Sequence, residues 1–274
     1  GDKMIFNTEL DAITINKIEE FEIEETAAAG DEKAIIFCNV VTTSLNHDQG
    51  EVLRINLKPC FISDGVITRV RKTVSFYQEP SETLDENSKK FVDFSLEEKK
   101  GSRINWDLVK NLFSKADLIV SHNSSFTRPW VDKNIGPNEF TWGCTVENIN
   151  WNDLGFPARN LETLSVFSGF FYNFRSSKSC LDAVLNCLHV NKTLSELVSN
   201  SLSPDIQVFA ANSPRGSNHL LKERRYRWNP ELVCWWKPVS NNEEAELEKQ
   251  WITDNLPGSE PQIFEVDSKF RFTR

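Results

Sequence analysis

The hydrophobic and polar positions of the chain follow two rhythms, and each predicts its own kind of element. Ala34-Ile-Ile-Phe-Cys-Asn-Val40 is a compact apolar run, too short for a helix and rich in β-branched residues, which predicts a central strand buried on both faces. Glu51 to Lys58 and Val66 to Val74 alternate apolar with polar residues, the period of a half-exposed strand. Together the three predict an antiparallel meander. Ile104, Leu108, Val109, Leu112 and Phe113 have helical spacing, and the helix they predict feeds a second buried strand, Asp117-Leu-Ile-Val-Ser121. Helices are also predicted from Phe126 onward and over Leu161 to Phe167. Another is predicted where Leu181, Val184, Leu185 and Leu188 recur at i, i+3, i+4 and i+7.

Ser199 to Pro204 reads as a linker by composition. Beyond it the pattern predicts a small appendage. A short apolar run covers Ile206 to Ala210, a helix holds Leu220 and Leu221, and two strands flank an Asn229-Pro230 turn between Arg225 and Trp236. Ser240 and Glu243 match the S-x-x-E capping box, opening a helix through Leu247 and Trp251. The expected organisation is therefore an acidic N-terminal segment (1–33), a main domain (34–200), a small α+β domain (205–256) and a tail (257–274).

Composition narrows this picture. A chain of 274 residues with 39% hydrophobic and 26% charged residues is neither collagen-like nor wholly disordered, and it is long enough to bury one sizeable core. No run approaches the roughly 18 apolar residues of a spanning helix, and the start lacks the basic-then-apolar layout of a signal peptide. A soluble, cytoplasmic protein with no membrane partner is the expectation. The six cysteines contain no C-x-x-C pair, so reduced and mostly buried thiols are expected.

The formal charge of -9 is unevenly spread, with -7 over residues 1–33 and +3 over residues 205–240. The acidic lead would steer toward basic protein surfaces, so a protein partner docking on residues 1–33 is one expectation. An ordinary solvated segment is the other.

Candidate chemistry enters through three short stretches. Phe37-Cys-Asn-Val-Val-Thr-Thr-Ser-Leu45 resembles the first motif of the DEDD-type 3′-to-5′ exonucleases, the family of the polymerase III epsilon proofreading subunit, F-x-D-x-E-T-T-G-L. Asn39 and Val41 stand where that motif has its carboxylates. Ile119-Val-Ser-His-Asn-Ser-Ser-Phe-Thr127 is similar to the second motif, an apolar strand ending in H-N-x-x-F-D, with Thr127 in place of Asp. Arg175-Ser-Ser-Lys-Ser-Cys180 resembles the third, H-R-A-x-x-D, in the ungapped register that keeps Ala183, Leu185 and Leu188 on the family's apolar positions. Arg175 then replaces the His and Cys180 the last Asp. A two-residue shift would instead bring Asp182 to the final position and Ser177 to the His, but the apolar pattern favours the ungapped version.

The resemblance implies an α/β fold with a ribonuclease H-like mixed sheet, a three-strand antiparallel meander plus parallel strands, flanked by helices. It also implies two Mg²⁺ ions held by converging carboxylates, since hard cations demand anionic oxygen ligands. An Asn carbonyl or a Thr hydroxyl adds no charge, Val41 cannot ligate, and Arg175 cannot act as a base at neutral pH. No cofactor is therefore expected, and no catalytic set is intact.

Three functions are weighed. In the first, a nucleic-acid end, single-stranded or 3′, is held without hydrolysis by Thr42, His122, Asn123, Phe126, Arg175 and Lys178, because lost carboxylates remove repulsion toward phosphate. Lys222, Arg224, Arg225 and Arg227, interleaved with Tyr226, Trp228, Trp235 and Trp236, would supply a second basic and aromatic surface. Those aromatics are equally explained as the packing of a small core. The second function is the interaction module on residues 1–33. The third is a residual exonuclease that recruits Mg²⁺ or Mn²⁺ through Asp182, Asp132 or Asp153.

Overall fold

The computed structural model describes residues 3–7 and 12–273, with side chains from Thr14 onward. Two compact units emerge, residues 1–202 with the last three residues, and residues 203–271. In the first unit β3 (Lys33–Thr42) is central. It pairs antiparallel with β4 (Val52–Ser63) on one side and parallel with β7 (Leu118–Ser121) on the other. The predicted third strand is split into β5 (Val66–Val70) and β6 (Val74–Tyr77), which pair with successive parts of the same edge of β4. The parallel side ends in β8 (Trp142–Cys144), giving the order β5-β4-β3-β7-β8.

The alternation of β3 explains the layers. Ile35 and Phe37 face a core shared with α4 (Leu161–Phe167) and α5 (Ser177–Asn191), while Ile36 and Cys38 face α2 (Trp106–Ser114) and α3 (Ser124–Ile135). This is a ribonuclease H-like mixed sheet flanked by helices. No helix among the described residues is long and apolar enough to cross a membrane.

Several sequence expectations need correction. The polar residues of β4, predicted to face solvent, are buried: Arg54, Asn56 and Lys58 are 6%, 0% and 1% exposed. Each lies under α5 or the loop between α1 (Glu86–Lys89) and α2 with a polar partner, so alternation marks a face and not its exposure. The Ser199–Pro204 linker is largely helical, because α6 (Leu194–Leu202) seats Ser201 so tightly against β8 that Gly143 has no room for a Cβ. Of the acidic lead, β1 (Lys3–Asn7) and β2 (Ala12–Lys17) pair with each other. β2 continues parallel to β9 (Phe170–Phe171), where an amphipathic segment and linker were expected. Residues 1, 2 and 8–11 of that segment lie outside the described residues.

The second unit is an antiparallel sheet of order β11 (Arg227–Asn229), β12 (Cys234–Val239), β10 (Asp205–Ala211), β13 (Glu260–Val266), packed on α7 (Asn218–Glu223) and α8 (Asn242–Asn255). The residues expected as a tail thus contribute β13, which pairs along all of β10. The cap of α8 falls one residue later than the S-x-x-E pattern suggests. Asn241 accepts from Glu244 N, and the Glu244 carboxylate accepts from Ser240 N.

Candidate functional site

Parallel strands end where β3 and β7 stop, and open α/β sheets bind ligands at such carboxyl ends. A cleft of about 510 Å³ opens there. Asn39 from β3, His122, Asn123, Phe126 and Thr127 after β7, and Cys180 from α5 all line it, so one cavity gathers residues from all three motif-like stretches. Ser176 caps α5 by accepting from Ser179 N, which places Cys180 at the start of the helix's second turn and turns it, with Leu181 and Val184, to the cavity.

The remaining predicted residues stand elsewhere. Val41 and Thr42 line a separate pocket of about 190 Å³ with Leu45 and Phe91, and the Thr42 hydroxyl donates to the Ser44 carbonyl. Arg175 is exposed in the loop before α5 and Lys178 is half-buried in its first turn; neither lines the cleft. Asp182 is turned away from it and bonded to Lys58 Nζ at 2.8 Å and to Phe21 N at 3.0 Å. Asp132 is held by Arg128 and Asn138, and Asp153 by Asn150; neither reaches the cleft.

Asn39 is committed at both ends. Its Nδ2 donates to the Ser177 carbonyl at 2.7 Å, and its Oδ1 accepts from Asn56 Nδ2 at 2.8 Å. Behind it, Asp93 Oδ2 accepts from Ser177 N, Ser177 Oγ and Arg54 Nη1 at 2.7, 2.6 and 3.0 Å. Arg54 Nε and Ser75 Oγ both donate to Asn56 Oδ1. The floor of the site is a charge-neutral network in which the buried Asp93 Oδ1 has no hydrogen-bond partner among the described residues. Asn56 and Asp93 were missed from sequence. Asn56 sat in a stripe assigned to solvent, and Asp93 lies in a loop with no periodic signal.

The cleft walls are different. His122 Nδ1 bonds Thr145 Oγ1 at 2.8 Å, while its buried Nε2 has no hydrogen-bond partner among the described residues. Burial pushes the imidazole down to about 4, with the Arg159 backbone opposing weakly, so the ring is neutral at physiological pH. Thr127 shares a 2.8 Å hydrogen bond with Ser121. Burial raises the Cys180 thiol to about 11, only partly offset by a bond from Tyr172, so it is not a thiolate. Arg159 and Glu162 bring one charge of each sign to the lining.

In the appendage, Arg224 bonds Glu248 at 2.9 Å and lies over Trp251, while Lys237 and the Tyr226 hydroxyl bond the same carboxylate. Tyr226 and Trp235, weighed as stacking surfaces, are buried core residues. Lys222, Arg225 and Arg227 are exposed.

Two paired dications need several converging carboxylates, and the donors present do not fit that requirement. Among the described residues Glu162 is the one carboxylate on the lining, Arg54 meets Asp93 Oδ2 while Oδ1 is left without a partner, and no group of three or more His, Cys, Asp or Glu is placed to hold a metal.

No family model and no curated protein matches the chain significantly by sequence. Among solved structures, the chain is similar to the zinc-bound form of the E. coli exonuclease I complex with single-stranded DNA, at 11% identity and a TM-score of 0.52 over 82% of this chain and 70% of that one. It is also similar to a 3′-exonuclease that recognises the 3′ end of a histone mRNA stem-loop, at 10% identity and a TM-score of 0.45 over 61% of this chain and 84% of that one. The exonuclease I likeness shows the fold: the chain has a ribonuclease H-like mixed sheet flanked by helices, as that structure does.

Proposed function

We propose that the cleft holds the end of a nucleic-acid strand without hydrolysing it, in an exonuclease-type site, epsilon-like in its first motif, that has lost its metals. The observation that carries the reading is Asn39. At the position of the first carboxylate stands a neutral amide whose oxygen and nitrogen are both spent inside the protein. An oxygen already bonded to Asn56, in a network that Arg54 and Asp93 balance, has no charge to offer a dication.

Binding itself is supported by the walls. A volume of about 510 Å³ lies within the usual range of ligand sites. Phe126 presents aromatic surface, and His122, Asn123 and Asn160 present neutral polar atoms suited to a base, with Arg159, 3.5 Å from Glu147, for a phosphate. The test is a 5′-labelled single strand incubated with the protein in Mg²⁺ or Mn²⁺. The strand is expected to be bound at full length, with log K falling against log salt at a slope of about -1, since few phosphates meet a cation. Progressive shortening would end the non-catalytic reading, and absence of end-dependent binding would end the functional one.

A further inference from the structure

The sheet of the second unit has one face covered and one face open. Ile206, Val208, Ala210 and Trp235 point to the helices and form the core with Leu221, Ala245 and Ile252. Strand alternation turns Gln207, Phe209, Trp236, Phe264 and Arg227 to the other face, and the three aromatics take no part in the core. Phe209 lies opposite Trp236 in the pairing, with rings stacked at 6.4 Å and 24°. Phe264 meets Phe209 edge-on at 5.2 Å and is 48% exposed. Arg227 sits over Trp236 at 5.9 Å.

The charge on this face is as selective as its shape. Acidic residues of the open face stand only at its ends, where Asp205 is met by Arg271 and Glu260 by Asn212. The middle carries the aromatic row, the uncharged amides of Gln207 and Gln262, and the exposed guanidinium of Arg227. In a protein of net charge -9, a carboxylate-free centre with one arginine stacked on a tryptophan suits an anionic strand with planar bases. A protein surface rich in apolar side chains would call for less polar neighbours than Gln207, Gln262 and Arg227.

We propose that Phe209, Trp236 and Phe264, with Arg227, form a stacking platform for single-stranded nucleic acid that engages two or three bases away from any strand end. Four-stranded sheets with exposed aromatics bind RNA by this physics. The platform is distinct from the cleft and does not rest on it, because stacking needs no terminus.

A circular single-stranded DNA, which has no end to enter the cleft, separates the two sites in the full-length protein. It is expected to bind and to quench tryptophan fluorescence. Affinity should fall about 5- to 150-fold in Phe264→Ala and in Trp236→Ala, with Trp236→Phe retaining most of it. Arg227→Gln should flatten the salt slope by about 0.7. The proposal falls if the circle does not bind, if Phe264→Ala binds it like the parent protein, or if Trp236→Ala instead abolishes a concentration-dependent self-association, which would make a second copy the occupant. Loss of end preference with circle binding intact would instead remove the cleft reading alone.

Discussion

Two polar clusters lie side by side between β4 and α5, and they compensate their charges by different routes. Around Lys58 the solution is ionic: its ammonium is 2.8 Å from Asp182 and 3.7 Å from Glu20, with the side chains of Lys58 and Asp182 almost fully buried. Around Asn39 the solution is mixed. Arg54 meets Asp93 Oδ2, and the amides of Asn39 and Asn56 bond each other without further charge. The second cluster occupies the place where the resemblance implies metal-binding carboxylates. The contrast teaches that charge at the end of such a strand can be balanced from within the chain, with Asp93 Oδ1 left as a buried oxygen without a partner among the described residues, which lowers the electrostatic demand for a bound dication.

The largest blow to the comparison should come from the ionic cluster. Asp182→Ala strips Lys58 of its nearest partner and is expected to cost about 3–5 kcal/mol in urea unfolding, as for other broken buried pairs. A loss below about 1 kcal/mol would mean that Glu20 balances Lys58 alone, and that the two clusters differ less than their geometry indicates.

A smaller effect is expected from pH, and it sharpens what sets the cleft wall apart from its floor. His122 titrates near 4 when folded and near 6.5 when unfolded. Above pH 7 both states are neutral at this position and it contributes no pH dependence. As pH falls from about 6.5 to about 4 the unfolded chain takes up the proton and the folded one does not, so stability declines by up to about 3 kcal/mol and levels off below. Unfolding measured between pH 7 and pH 4 should be less steep in His122→Gln. An equal slope would place the titration elsewhere.

The smallest expected change falls on the mixed cluster. Asn39→Asp keeps the oxygen that Asn56 needs but turns a carboxylate toward the Ser177 carbonyl, at a cost of about 1–3 kcal/mol. Labelled strands should remain uncut in this variant. Stabilisation of Asn39→Asp by Mg²⁺ would show that a single carboxylate is enough to draw a cation here, and the distinction between the clusters would fail.

The legible parts of this protein were those with short-range signals. The apolar run at Ile35 to Cys38, the alternation after Glu51 and the i, i+3, i+4, i+7 pattern from Leu181 each predicted its element. The order of three motif-like stretches pointed to one site of Asn39, Val41, Thr127, Arg175 and Cys180; Asn39, Thr127 and Cys180 line one cleft, whereas Val41 and Arg175 do not. Asp93, Asn56 and the Asn39 clamp were not legible, because, apart from Arg54 two residues before Asn56, their partners lie 17 to 138 residues away in the chain.

Sequence by itself determined which residues alternate, which helices carry an apolar stripe and which chemical groups stand at the motif positions, since covalent order fixes side-chain identity and local period. Only the tertiary structure decided what covers each face. It buried the polar stripe of β4, turned Asp182 to Lys58, drew residues 260–266 into a sheet, and assembled Phe209, Trp236 and Phe264 into one row. Periodicity states that a strand has two sides, whereas the choice of partner for each side is made by long-range pairing, whose energy depends on contacts between residues that no local window contains.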